Sequence, residues 1–184
     1  FLIPYRVYVL KNDELTVLDS NEIKGDFRVE EMWTMSKDST KIHMFRTERR
    51  GNSQGKALVW GYGGFSIALT PMYFPYVIPF LEDGGTFVTA NLRGGSEFGE
   101  RWHRDGMREK KQNVFDDFTA VLRTLKGKNL KILGFGVSNG GLLIGTVMTQ
   151  HPELLEGALI GYPVLDMLRF HKLYIGKAWV PEYG

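Results

Sequence analysis

The fold is decided by Gly136-Val137-Ser138-Asn139-Gly140-Gly141. This stretch follows an apolar run at 131–135, which predicts a buried strand, and it opens the segment 139–151, which predicts a helix that Pro152 ends. Glycine two residues before and two residues after the serine permits a turn too sharp for side chains. The pattern G-x-S-x-G between a strand and a helix therefore makes Ser138 a candidate nucleophile, with its hydroxyl exposed near a helix N-terminus.

Strand and helix patterns alternate on either side of this stretch. The compact apolar runs that predict buried strands are 57–60, 86–91, 131–135 and 158–160. Residues 114–126 instead repeat apolar side chains at i, i+4, i+7, i+8 and i+11, which is one face of a helix. The alternation predicts an α/β fold with a mostly parallel sheet and helices on both faces. In such sheets the functional residues lie at the carboxyl ends of the strands.

The first 50 residues have a β-rich pattern of their own. Two short runs at 5–10 and 15–18 flank a polar turn and predict a hairpin. A second pair of strands is predicted at 28–35 and 41–47. We place a boundary after residue 25, so that 1–25 forms a hairpin with a linker and 26–184 belongs to the α/β unit.

The composition excludes several classes of protein. With 43% hydrophobic and 24% charged residues, the 184-residue chain is typical of one globular domain rather than a disordered or fibrous protein. A net charge of +2 favours neither a nucleic-acid partner nor an anionic membrane, and no run approaches 18 apolar residues. The lack of cysteine rules out disulfides and thiolate chemistry and is compatible with the cytoplasmic location that we expect.

A second glycine segment, Gly61-Tyr62-Gly63-Gly64-Phe65, directly follows the predicted strand at 57–60. Hydrolases with a G-x-S-x-G serine carry an HGGG-type loop at this place, which binds the oxyanion of the reaction. Tyrosine replaces the histidine here, and the phenol of Tyr62 can donate a hydrogen bond to an oxyanion together with the amide of Asn139. The alternative for Tyr62 is an aromatic side chain of the core or its rim.

A glycine-rich turn between strand and helix also occurs in nucleotide-binding proteins. The dinucleotide fingerprint G-x-G-x-x-G would begin at Gly134-Phe135-Gly136. Asn139 occupies the third glycine position, and Gly140 comes one residue late. The spacing therefore disfavours a dinucleotide site.

Several long blocks of the sequence, in order, resemble the signature blocks of the prolyl oligopeptidase family of serine peptidases. These blocks are 61–65, 91–99, 102–103, 111–118, 138–143, 166–171 and 178–179. The resemblance covers about residues 26–184 and implies part of an α/β-hydrolase fold. The hairpin before it resembles the last strands of the family's β-propeller.

The resemblance also implies roles for single residues. Ser138 would be the nucleophile, Tyr62 and the amide of Asn139 the oxyanion hole, and Trp179 the ring that stacks on a proline before the cleaved bond, with Phe65 in the same pocket. The expected partner is a peptide substrate, and no metal or cofactor is expected. A core aromatic is the alternative for Trp179.

The acid and base of a catalytic triad are harder to find in this sequence. In α/β-hydrolases the order along the chain is serine, acid, histidine, so His43 and His103 come too early. His151 closes the helix that leads away from Ser138. His171 follows Asp166 by only five residues, whereas triad members normally come from separate loops, and we disfavour it as the base. The charged residues that we interpret as structural ion pairs or solvated charges are Arg93, Glu97, Arg101, Arg104, Asp116 and Asp117.

Only 46 residues follow Ser138, and the resemblance places the catalytic acid and base beyond Gly184. The chain begins with Phe1 rather than methionine, and we expect its natural start to lie upstream. We therefore expect a piece of a peptidase that lacks its propeller and its C-terminal catalytic segment and is nearly inactive alone. The alternatives are an esterase or acyl-peptide hydrolase of the same fold, and a remnant that acts as a binding module.

Overall fold

A separate antiparallel hairpin opens the chain in the computed structural model, which describes residues 1–51 and 53–184. Its strands are β1 (Tyr5–Lys11) and β2 (Glu14–Asn21), and every residue in them is exposed. Asn12 and Asp13 both have positive φ, as a tight two-residue hairpin turn requires. The predicted hairpin is confirmed, and it has no core of its own.

A six-stranded sheet holds the rest of the chain together. Its strands are β3 (Phe27–Met35), β4 (Lys41–Arg49), β5 (Lys56–Trp60), β6 (Thr86–Asn91), β7 (Lys131–Val137) and β8 (Gly157–Gly161). Their order in space is β3-β4-β6-β5-β7-β8. β4 pairs antiparallel with β3 and β6, whereas β6, β5, β7 and β8 run parallel. The predicted α/β fold with a mostly parallel sheet is confirmed.

Helices cover both faces of this sheet. They are α1 (Ile78–Glu82), α2 (Glu100–Arg104), α3 (Gln112–Lys126), α4 (Asn139–Gln150) and α5 (Val180–Tyr183). α3 and α4 pack on one face and α1 on the other. The prediction for α4 was wrong by one residue, because His151 precedes a proline and has an extended φ of −139°. Among the described residues, no helix has both the length and the apolar character needed to cross a membrane.

β6 lies at the centre of the sheet and is buried along its whole length. Val88 and Ala90 belong to the larger core, which α3 and α4 cover, and Phe87 belongs to the smaller core with Leu81 of α1. Side chains of a strand alternate between its faces, so one strand contributes to both cores. The parallel strands are therefore held between two apolar layers, and their carboxyl ends lie together at one edge of the sheet.

A buried ion pair joins the end of β6 to α3. Arg93 donates from Nε to Asp117 Oδ2 at 2.9 Å and from Nη2 to Asp117 Oδ1 at 2.6 Å. Ser36 donates to the same carboxylate at 2.6 Å, and Asp38 receives Arg93 Nη1 at 2.5 Å. The hydrogen bond from Arg93 lowers the pKa of Asp38 to about 2. This network agrees with the interpretation of Arg93 and Asp117 as structural charges.

Asp117→Asn should destabilise the chain by about 3–5 kcal/mol, because it leaves the buried guanidinium of Arg93 without its full countercharge. Asp116→Asn is the matched control. Asp116 is the preceding residue of α3 and accepts only a surface hydrogen bond from Gln112 among the contacts described, so its loss should cost less than about 0.5 kcal/mol. Urea unfolding of the purified variants measures both changes. Equal small losses would contradict the structural role of the ion pair.

Candidate active site

The turn that carries Ser138, residues 136–140, is the sharp connection predicted between β7 and α4, and we call it the Ser138 turn. Ser138 has φ 58° and ψ −116°, a conformation that is costly for any residue with a side chain. Its amide donates to the carbonyl of Gly161 on β8 at 2.9 Å, which helps to hold this conformation. A Cβ at Gly136 would overlap the carbonyl of Gly140, so only glycine fits there.

The Ser138 turn meets the 61–65 loop backbone against backbone. A Cβ added to Gly140 would lie 2.7 Å from the carbonyl oxygen of Gly61, closer than real Cβ atoms come. β5 and β7 are neighbouring parallel strands, so the segments after their carboxyl ends lie at the same edge of the sheet. This contact brings the 61–65 loop beside the serine.

The side chain of Asn139 ties the two segments together. Its Nδ2 donates to the carbonyl oxygen of Tyr62 at 2.6 Å, and its Oδ1 accepts from the hydroxyl of Tyr183 at 3.0 Å. Only 1% of Asn139 is exposed. The residue that follows the serine therefore orients the loop with its side chain while its backbone amide lies at the start of α4.

Tyr62 presents its phenol to the serine. The Tyr62 phenol and Ser138 line the same cavity, and the Ser138 side chain is close enough to affect the pKa of the phenol. Burial raises the pKa of the Tyr62 phenol, and the Ser138 side chain opposes part of this rise. The phenol therefore stays protonated at neutral pH and is available as a hydrogen-bond donor beside Ser138.

A cavity of about 180 Å³ opens beside the serine, and we call it the Ser138 pocket. The residues that line it are Tyr62, Phe65, Ile67, Ser138, Val164, Trp179 and Tyr183. The rings of Phe65 and Tyr183 meet edge to face with centroids 5.5 Å apart. The structure thus brings four of the residues singled out from the sequence into one cavity with aromatic walls.

Sequence reasoning missed Tyr183, which lines this pocket, and its neighbour Glu182, which accepts a hydrogen bond from the amide of Phe65. Both belong to α5, a helix of four residues at the end of a segment with only short helical turns. A segment of this kind shows no periodic apolar pattern. The only signal was Pro181, which suits the first turn of a helix.

Lys111 supports the 61–65 loop from the side of α3. Its Nζ donates to the carbonyl oxygen of Gly63 at 2.7 Å and lies 5.5 Å from the centre of the Tyr183 ring. Burial lowers the pKa of Lys111 to about 8. The lysine is therefore a cation held close to the loop at neutral pH, at a cost in free energy.

The four histidines do not line the Ser138 pocket in the part of the chain that the structure describes. Their neighbours are Asn91 for His43, Glu182 for His103, Glu153 for His151 and Phe170 for His171. The structure therefore agrees with the sequence interpretation, which disfavoured all four as the base for Ser138.

The chain is similar in sequence to known peptidases. The sequence model of the prolyl oligopeptidase family matches residues 72–184. Prolyl oligopeptidase A of Amanita bisporigera is 39% identical, over 98% of this chain and 25% of that protein. Prolyl endopeptidase of Dictyostelium discoideum is also 39% identical, over 95% of this chain and 25% of that protein.

Its structure is similar to solved structures of the same kind. A post-proline cleaving enzyme from Rickettsia typhi matches with a TM-score of 0.91 and 32% identity, over 100% of this chain and 28% of that one. A structure from an analysis of two prolyl endopeptidases matches with a TM-score of 0.91 and 36% identity, over 98% and 28%. The chain spans about a quarter of the length of the curated relatives that it matches.

Lys111→Met should change how stability depends on pH. Between the folded pKa of about 8 and the unfolded value of 10.5, the unfolded chain binds more protons, so this lysine makes stability rise with pH. At pH 7 the buried charge costs on the order of 3 kcal/mol, at about 1.4 kcal/mol per pKa unit. The variant loses this cost and also one hydrogen bond, worth about 1 kcal/mol.

Urea unfolding of the chain from pH 7 to pH 10 measures this effect. The stability of Lys111→Met relative to wild type should be highest at pH 7 and should fall as the pH rises. Lys110→Met is the control, because that lysine is half exposed and pairs with Asp105 at the surface, and it should keep the wild-type slope. If the free energy of unfolding changes with pH in the same way for wild type and Lys111→Met, the lowered pKa of Lys111 is contradicted.

Proposed function

Because the chain belongs to the prolyl oligopeptidase family, we propose that it carries the nucleophile half of a serine endopeptidase that cleaves short peptides after proline. The observation that carries this proposal is that Ser138, Tyr62 and Trp179 line one cavity. We use the term complete polypeptide for this chain together with the remaining length that its relatives have.

In the proposed reaction, Ser138 Oγ attacks the carbonyl carbon of the peptide bond that follows proline. Its proton passes to a base, and the carbonyl oxygen becomes an oxyanion that accepts hydrogen bonds from the phenol of Tyr62 and the amide of Asn139. The C–N bond then breaks, the leaving amine takes the proton, and an ester remains on Ser138. Water hydrolyses this ester. The helix dipole of α4 favours the developing negative charge.

The walls of the Ser138 pocket support proline as the residue before the cleaved bond. A proline ring offers flat apolar surface and no N–H, so recognition depends on shape and stacking. Trp179 lines the cavity with its indole, and the rings of Phe65 and Tyr183, which pack edge to face, line it as well. A cavity of about 180 Å³ suits a small ring.

The base and the acid are proposed to come from a segment that follows this chain in the complete polypeptide. Without them a serine hydroxyl is a poor nucleophile, and only about 10³–10⁴-fold catalysis over water remains from an oxyanion hole and binding. We therefore propose that the chain alone is nearly inactive. No histidine among residues 1–51 and 53–184 lines the Ser138 pocket, which supports this division.

We also propose that residues 1–25 end a propeller domain and link it to the α/β unit. The exposed apolar side chains of this hairpin support a neighbour that covers them. They are Val7, Val9, Leu10, Leu15, Val17 and Leu18. A cytoplasmic location stays a prediction.

Kinetics of the complete polypeptide tests the proposed specificity. It should cleave a reporter peptide with proline before the scissile bond much faster than the alanine counterpart. Trp179→Ala should lower this ratio by about 2- to 10-fold, because stacking on an aromatic ring is worth roughly 0.5–1.5 kcal/mol beyond buried area. Trp179→Phe keeps an aromatic face and should retain more of the ratio. Hydrolysis of a small ester should change less.

The controls separate a change in selectivity from a loss of folded enzyme. Thermal midpoints and titration with an active-serine phosphonate give the folded, reactive fraction of each variant. Ser138→Ala should abolish both titration and turnover. If titratable Trp179→Ala keeps the wild-type ratio, Trp179 is a packing residue, and equal cleavage after alanine in the wild type would favour the acyl-peptide hydrolase alternative. Rapid phosphonate labelling of the isolated chain would contradict the proposed division of the triad.

A further inference from the structure

The 61–65 loop ends in a backbone conformation that needs support. Phe65 and Ser66 have φ values of 56° and 55°, in the left-handed region that residues with side chains rarely enter. Two such residues in succession persist only where neighbouring groups hold them. The ring of Phe65 lines the Ser138 pocket, so this conformation fixes both a pocket wall and the end of the loop.

Glu182 supplies this support. Its Oε1 accepts from the amide of Phe65 at 2.8 Å, and its Oε2 bonds to Nε2 of His103 on α2 at 2.8 Å. Only 5% of Glu182 is exposed. A hydrogen bond from an amide to a buried carboxylate is stronger than one between neutral groups. The carboxylate therefore links the loop to α2 through α5.

The same helix also carries part of the pocket wall. Trp179 directly precedes α5, and Tyr183 lies within it. Tyr183 donates to Asn139, which in turn holds the carbonyl of Tyr62. The five residues 179–183 thus provide two pocket rings and separate hydrogen bonds to the 61–65 loop and to the Ser138 turn.

We propose that Glu182 is a positioning residue that couples occupation of the Ser138 pocket to the placement of the Tyr62 phenol. A substrate ring that packs against Trp179 and Tyr183 fixes the position of α5. The hydrogen bond between Glu182 and the Phe65 amide then fixes the position of the 61–65 loop. This proposal rests on the proposed function, because it concerns the same pocket and the same donor. Its consequence is that selectivity for the residue before the cleaved bond lies in kcat more than in KM.

The test is steady-state kinetics of the complete polypeptide with the proline and alanine reporters. Glu182→Ala should lower kcat on the proline reporter about 10- to 100-fold, since a small misplacement of a catalytic group costs up to about 10²-fold, and KM should change by less than about 3-fold. The proline-to-alanine ratio of kcat should fall. Glu182→Gln keeps an oxygen that can accept a hydrogen bond from the Phe65 amide. This variant should therefore recover most of the kcat on the proline reporter and most of the proline-to-alanine ratio.

A matched control removes a carboxylate without touching the loop. Glu109 is exposed on the short helical turn before α3, and Glu109→Ala should leave kcat and KM unchanged. Rates are divided by the fraction of sites that an active-serine phosphonate titrates. A purely structural role for Glu182 would lower only the fraction of titratable sites. The proposal is therefore overturned if Glu182→Ala keeps the wild-type proline-to-alanine ratio of kcat. It is also overturned if the kcat of Glu182→Gln is no higher than that of Glu182→Ala.

Hydrogen exchange of the segment 62–67 keeps the proposal open to test if Glu182→Ala does not fold. Glu182→Gln weakens the hydrogen bond to the Phe65 amide, so exchange there should be faster than in the Glu109→Ala control. Exchange and kcat in Glu182→Gln should depart from wild type together, so a lowered kcat with wild-type exchange of this segment would overturn the proposal. A wild-type enzyme with no preference for proline would instead contradict the proposed function, and the exchange rates would still decide whether Glu182 holds the loop.

Discussion

The geometry around Ser138 depends on a contact that leaves no room for a side chain. Gly140 lies so close to the carbonyl of Gly61 that a Cβ would come within 2.7 Å of it. At this approach Asn139 Nδ2 donates to the carbonyl of Tyr62, and the phenol of Tyr62 lines the same cavity as Ser138. The side chains of the site can therefore be placed correctly only if glycine allows the 61–65 loop and the Ser138 turn to approach each other.

The sheet makes this contact possible, and buried polar groups keep it in place. β5 and β7 are parallel neighbours, so the 61–65 loop and the Ser138 turn start from the same edge. Lys111 donates a hydrogen bond to the carbonyl of Gly63, and Glu182 accepts one from the amide of Phe65 at the end of the loop. Charges that are costly to bury are thus bound to backbone groups of the loop, and these hydrogen bonds add to the packing of the Phe65 ring on Tyr183.

Local patterns in the sequence predicted the sheet, α3, α4 and the Ser138 turn, because glycine spacing and apolar periodicity act over a few neighbouring residues. Glycine patterns also indicated Ser138 and Tyr62, whereas Phe65 and Trp179 were implied only by the resemblance to the peptidase family. These four residues line one cavity. The link between Phe65 and Glu182 joins residues 117 positions apart, and no local pattern indicates such a contact. The left-handed conformation of Phe65 was missed for the same reason, since the group that stabilises it is distant in sequence.

We propose that the phenol of Tyr62 stabilises the charge that develops beside Ser138, and the kcat of Tyr62→Phe in the complete polypeptide tests this role most directly. Phenylalanine keeps the ring and removes one donor, so kcat should fall on the order of 10²–10³-fold with little change in KM. Tyr76→Phe removes the hydroxyl of an exposed tyrosine and should leave kcat unchanged. A Tyr62→Phe variant with the wild-type kcat would contradict the account.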